Sequence, residues 1–189
     1  MILPKRAMRY NHIDGVRVRA TFSRDRRYRY RLEITLKKAL REGKTACVVM
    51  MNPSYAGEDV ADKSVQFMEK VVFQKQVPEF AGVTRLIVVN QFAFIQTRAF
   101  EGREHEIGPG NNAAIQSALA EAEIIILGWG SGNPFTERKE FVLGRLRQLK
   151  GKQLFKTKMH PSRGRYDGFI QPFVFDEADQ KLSPGPSAS

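Results

Sequence analysis

A chain of 189 residues with 42 % hydrophobic residues has enough apolar material for one domain with a real core, and no apolar run approaches the length of a membrane span. Its single cysteine, Cys47, excludes an intrachain disulfide and a four-cysteine zinc or iron–sulfur site, and the basic start, residues 1–9, lacks the apolar segment of a secretory signal. The formal net charge of +11 falls in two blocks: residues 1–45 hold 14 Lys/Arg against 4 Asp/Glu, residues 138–165 hold 10 against 1, and the remainder is acidic, 7 against 15.

Such asymmetry is the footprint of a surface that follows phosphates, so DNA is the expected partner; the plainer reading is a soluble basic protein or a basic arm without one. A cytoplasmic, monomeric protein without membrane association is expected, with a nucleus as the other compartment that fits. Cys47, inside an apolar run, reads as a buried, inert thiol.

Along the chain, residues 16–22 alternate with period two and read as a strand, residues 23–26 as a turn, and residues 28–34 alternate again, which predicts an N-terminal β-hairpin. Most of its arginines are expected on a solvated outer face. Residues 47–51 form a continuous apolar run, a buried strand stopped at Asn52-Pro53. Ser64 is expected to cap a helix over residues 65–76. Strands at 85–89, 124–127 and 154–158 alternate with helices at 111–122 and 134–149. This order predicts an α/β fold with a mainly parallel central sheet flanked by helices on both faces. One domain over residues 1–182 and a disordered tail over residues 183–189 complete the expectation. There is no internal repeat, no heptad pattern, and no Gly-rich dinucleotide or P-loop signature.

Asn52, Asn90, Trp129 and His160 each follow a predicted strand, at the sheet edge where ligands bind in open parallel sheets. Taken singly, the asparagines read as turn residues, Trp129 as core and His160 as a structural histidine; together they form a site hypothesis. The segments Met51-Asn52-Pro53-Ser54, Val88-Val89-Asn90-Gln91-Phe92, Leu127-Gly128-Trp129-Gly130 and His160-Pro161-Ser162 resemble, in order and spacing, the motifs of the uracil-DNA glycosylase superfamily. The first is similar to the Asn-Pro form of mismatch-type and single-strand-selective members. The resemblance runs over residues 46–169, and the chain also resembles an uncharacterised bacterial family known as a domain of unknown function.

The resemblance implies that Asn52 positions the attacking water near the sugar C1′, that Asn90 reads the pyrimidine edge, and that His160 hydrogen-bonds the base O2. It also implies that Ser162, Arg163, Arg165 and Tyr166 meet the DNA groove. Met50-Met51 stands where a glycine usually precedes the first motif, and the leucine wedge of the last loop is missing, leaving Arg165 or Tyr166 to fill the gap.

Chemistry makes these roles sensible. Breaking an N-glycosidic bond leaves a pyrimidine anion, which needs a donor at its O2, and a cationic sugar, whose attacking water needs orientation more than deprotonation. The nucleotide must be flipped from the duplex while its phosphates are gripped, a task for residues 138–165. Asp62 and Asp59 compete as general base, against the plainer reading of a helix cap and a loop residue. Phe92 is favoured for stacking on the base, with Tyr55 and Phe67 as rivals. Ser54, where uracil-specific relatives carry a tyrosine, opens space at the pyrimidine C5 and offers its hydroxyl to a polar substituent, against the plainer reading that it begins a turn and Tyr55 closes the pocket, while the Asn90 amide is free to turn toward either pyrimidine edge.

The expected function is therefore a DNA glycosylase, free of cofactor and metal, that excises a C5-substituted pyrimidine and leaves an abasic site, in repair or antiviral defence. The alternatives are a non-catalytic nucleic-acid-binding module and a small nucleotide or nucleoside hydrolase.

Overall fold

A computed structural model of the chain describes residues 10–39, 43–96 and 98–176. The basic start and the tail expected from residue 183 lie outside the described residues.

The alternating segments become β1 (Val16–Phe22) and β2 (Arg29–Leu36), paired antiparallel with Val18 opposite Ile34 and Ala20 opposite Leu32. The continuous apolar runs become β3 (Lys44–Met50), β4 (Val83–Asn90) and β5 (Ile124–Leu127), followed by β6 (Gln153–Thr157) and a short β7 (Ile170–Pro172). They form one seven-stranded sheet in the order β1-β2-β4-β3-β5-β6-β7. The helices are α1 (Lys63–Phe73), α2 (Glu104–Ile107), α3 (Asn111–Glu121) and α4 (Thr136–Gln148).

The pattern of β3 explains the layering. Ala46, Val48 and Met50 point to one face, where they join Val65, Met68 and Val72 of α1. Cys47 and Val49 point to the other, where they meet Ile115 and Leu119 of α3 and Val142 and Leu146 of α4. A strand covered on both faces has no solvated side to mark with polar residues, and so reads as an unbroken apolar run.

The sheet is mixed rather than mainly parallel. β4, β3, β5 and β6 pair parallel, but β1 with β2, β2 with β4, and β6 with β7 pair antiparallel. The hairpin docks along β4 with Leu32 opposite Val88 and Ile34 opposite Leu86, and both hairpin residues are fully buried. Alternation within a strand says which face is apolar but nothing about the direction of the neighbour, so the antiparallel docking left no local mark. Among the described residues no helix is long and apolar enough to cross a membrane.

Helix starts also shift. The cap of α1 is Asp62, not Ser64: its Oδ1 accepts the Val65 N–H at 2.8 Å. Ser64 lies within the first turn, and the helix ends at Phe73.

Candidate active site

β3 feeds α1 on one face, and β5 feeds α4 on the other. The loops leaving the adjacent carboxyl ends of β3 and β5 therefore part in opposite directions and leave a crevice, the position where open α/β sheets bind ligands. A cavity of about 290 Å³ opens on the β3 side of this crevice, lined by Arg29, Asn52, Ser54, Tyr55, Asp62 and His160 among others. A second cavity, of about 380 Å³, lies beside it between Trp129, Asn133 and Arg163 and shares His160 as a wall.

Asn52 is half-buried, and its Nδ2 donates to Gln96 O at 2.9 Å. That bond fixes the amide and leaves Oδ1 as an acceptor, the polarity needed to orient a water. Ser54 Oγ donates to Asp62 Oδ2 at 2.6 Å, so one carboxylate both caps α1 and holds the serine hydroxyl. The hydroxyl proton is thus committed, and toward a ligand Ser54 presents lone pairs only. Asp62 faces the cavity as the structural cap of the plainer reading, with both oxygens engaged; Asp59 lies on the exposed loop and does not line the cavity.

His160 follows β6 and opens a 3-10 turn over Pro161–Arg163. Its Nδ1 accepts the Ser162 N–H at 3.2 Å and lies 2.9 Å from Ser162 Oγ. A ring nitrogen that accepts a backbone N–H carries no proton, so the neutral ring holds its proton on Nε2. Burial, helped by the Arg163 charge and opposed by Asp62, keeps the His160 pKa below the ordinary value. The ring is consequently a neutral Nε2–H donor near pH 7. Gly130 makes this placement possible: it adopts φ +79°, and a Cβ there would lie 2.8 Å from His160 N.

Asn90 does not line the cavity. It is 1 % exposed, and its Oδ1 accepts from Arg29 Nη2 at 3.0 Å. An arginine can only donate, so Asn90 cannot turn its amide as expected; its Nδ2 is left as a buried donor without a partner. Phe92 also lies elsewhere. Its ring packs edge-on against Phe100 and Phe135 and lines a separate cavity of about 550 Å³ with Arg138. Phe67 is covered by Gly164, Phe169 and Tyr166, which leaves Tyr55 as the candidate stacking ring in the His160 cavity.

Beyond His160, Arg163 and Arg165 are exposed at the rim. Tyr166, 42 % exposed, stacks on Phe67 with centroids 4.9 Å apart and carries Lys75 over its other side at 4.2 Å; it lies against α1 rather than projecting as a wedge. The basic block at 138–165 is divided. Arg138 is buried, its Nε donating to Gln91 O at 2.8 Å. Arg145, Arg147 and Lys152 lie at or beyond the last turn of α4, at the opposite end of the sheet, while Lys158, Arg163 and Arg165 are exposed near the carboxyl rim.

Arg29 is the residue missed at the sequence level. It reads there as one of several alternating hairpin arginines on a wet face, yet its side chain is 1 % exposed and lines the cavity. Antiparallel docking explains it. β2 begins where β4 ends, so the first residue of β2 sits beside Asn90 at the carboxyl rim.

The site thus defines an α/β domain with a small cavity, holding a neutral histidine and a buried arginine, at the carboxyl rim of its sheet. The model of the family described as "Protein of unknown function (DUF1643)" matches residues 29–163, from Arg29 to Arg163, and the chain belongs to that family. No curated protein and no solved structure matches the chain. The resemblance to uracil-DNA glycosylases therefore rests on the four motifs alone.

Proposed function

We propose that this protein is a DNA glycosylase that takes a flipped pyrimidine into the Asn52–His160 cavity and hydrolyses its N-glycosidic bond, leaving an abasic site. The supporting observation is the convergence of Asn52 and His160, which lie more than a hundred residues apart, on one cavity with complementary polarity: an acceptor for water and a neutral N–H donor for a base oxygen. Asn52 Oδ1 orients the water whose oxygen bonds to C1′. The C1′–N1 electron pair leaves with the base, His160 Nε2–H meets the developing charge at O2, and the water proton passes to solvent. Tyr55 provides the stacking face, while Lys158, Arg163 and Arg165 grip phosphates at the rim.

A C5-substituted pyrimidine suits the cavity, because Ser54 is small; its hydroxyl proton is held by Asp62, so it favours a substituent that donates, such as hydroxymethyl. Incubation with DNAs carrying a panel of modified pyrimidines, followed by alkaline cleavage at abasic sites, tests the reading. Asn52→Ala is expected to abolish cleavage with DNA binding retained; equal loss of both would assign Asn52 to folding.

A second reading, hydrolysis of a free nucleotide or nucleoside, is favoured by one observation: much of the basic block lies away from the rim. Salt separates the two. A DNA enzyme loses activity steeply with added salt, and neutralising Arg163 and Arg165 together flattens that slope.

A further inference from the structure

The Arg29 guanidinium reaches only neutral acceptors: Nη1 donates to Ala56 O at 2.9 Å, Nη2 donates to Asn90 Oδ1 at 3.0 Å, and Nε is buried without a partner. Among the described residues Arg29 forms no ion pair. Asp62 acts on it only through space, its oxygens engaged by Ser54 and Val65. Burial lowers the Arg29 pKa to about 10, which still leaves the group charged at neutral pH. A buried cation that hydrogen-bonds to no carboxylate, with Asp62 acting on it only from a distance, is better satisfied when an occupant of the cavity adds negative charge.

The position of Arg29 decides what kind of charge that is. A DNA phosphate stays at the surface, and Arg29 is 1 % exposed, below the exposed Arg163 and Arg165. A pyrimidine inside the cavity is neutral when bound and becomes an anion only as its glycosidic bond breaks. A fixed positive charge there gains strength in the transition state over the ground state, which is the condition for catalysis.

Resting on the base-excision reading above, we infer that Arg29 is a catalytic residue that shares with His160 the negative charge of the departing base. His160 contributes a neutral hydrogen bond and Arg29 a full charge in a water-poor site. The C1′–N1 bond breaks with both electrons on the base, the water oxygen bonds to C1′, and the base is protonated from solvent after release.

Single-turnover excision from DNAs carrying 5-fluorouracil, 5-hydroxymethyluracil or mispaired thymine, bases of graded N1 acidity, compares the wild type with Arg29→Gln and Arg29→Lys. Arg29→Gln is expected to slow the less acidic bases by about 100-fold or more, and 5-fluorouracil, whose anion needs less help, by far less. Arg29→Lys keeps the charge and is expected to restore most of the lost rate on the less acidic bases. An equal loss for every base at unchanged melting temperature would make Arg29 structural and overturn the inference.

Should Arg29→Gln fail to fold, the wild type gives a second measurement: inhibition by free 5-fluorouracil strengthens as pH rises through the ionisation of the base. Inhibition that stays flat or weakens over that range overturns the inference. A wild type that excises no base of a wider panel removes the base-excision reading itself and this role with it. Excision that persists with an unchanged dependence on base acidity in Arg29→Gln removes the role of Arg29 alone.

Discussion

The sheet has two regions built by different rules. In the parallel centre, β3, β4 and β5 are sealed between α1 on one face and α3 with α4 on the other, and every residue of β5 is buried. On the antiparallel edge, β1 alternates buried or half-buried residues with exposed ones. Where the two regions meet, Arg31 of β2, with both terminal nitrogens at 2.7 Å, and Arg85 of β4, at 3.0 Å, converge on Glu121 of α3 in an ionic lattice. The centre supplies rigidity and the loop that carries Asn52, and β6 beside it carries His160. The edge supplies Arg29, placed at the rim only because its strand runs against β4. Hydrophobic burial builds one region, and charge placement gives the other its part in the site.

The sharpest way to break this division is to cut into the centre. Ile126, fully buried in β5, sits beside Val48 and Phe155 on the flanking strands. Ile126→Ala is expected to cost roughly 2–5 kcal/mol in denaturant unfolding, whereas Val18→Ala on the half-buried edge strand costs a fraction of that. Equal losses would dissolve the distinction.

Next is the seam between the β5 loop and the site. Gly130→Ala forces a side chain into φ +79° against His160 N, so it is expected to cost about 1–3 kcal/mol and, under the proposed function, to impair excision beyond that loss by displacing His160. A crystal structure of the variant with His160 unmoved would refute the coupling.

A third test concerns the chain entering the edge. His12 Nδ1 meets the fully buried Glu69 at 2.5 Å, and its Nε2 meets Gly57 O at 2.8 Å. Both partners are acceptors, so the clamped ring holds both protons. Burial works against that charge, but the bonds to Glu69 and Gly57 prevail and the pKa is raised. A raised histidine pKa adds stability that is fully present below the unfolded value, about 6.5, and is lost as pH rises through the folded value. The melting-temperature gap between wild type and His12→Gln is expected to narrow with rising pH across that window. A gap that is constant or widening removes the clamp.

The smallest effect is expected at the ionic lattice. Hydrogen bonding from Arg31 holds the Glu121 carboxyl down to about 2, so its contribution is present above the usual carboxylate range and is lost only as pH falls through that low value. Solvent screens the pair, and Glu121→Gln is expected to cost below about 1 kcal/mol, less still in high salt.

Much of the centre was legible in the chain, and the reasons are physical. Unbroken apolar runs bounded by Asn52-Pro53, Asn90 and Gly128 locate β3, β4 and β5 to within a few residues, because a strand covered on both faces admits nothing polar. The convergence of Asn52 with His160 follows from strand direction alone. What was not legible depends on partners distant in the chain. Arg29 looks like its neighbours Arg27 and Arg31 until β4 is laid beside it. Phe92 follows Asn90 and Gln91 but turns into an aromatic cluster with Phe100 and Phe135. Asp62 and Ser64 are both acceptable caps, and only the fold of the preceding loop chooses between them.

The bond between Arg29 and Asn90 joins residues 61 apart in the chain, and β3, α1 and β4 all lie between them. The loop must close before the pairing is gained, and non-local strand pairing of this kind slows folding. The hairpin precedes β4 in the chain, yet it has no edge to dock on until β4 has been made and placed. In refolding the cavity is therefore expected to be completed late, after the sheet centre and its helices have formed, when the hairpin finds the strand it docks on.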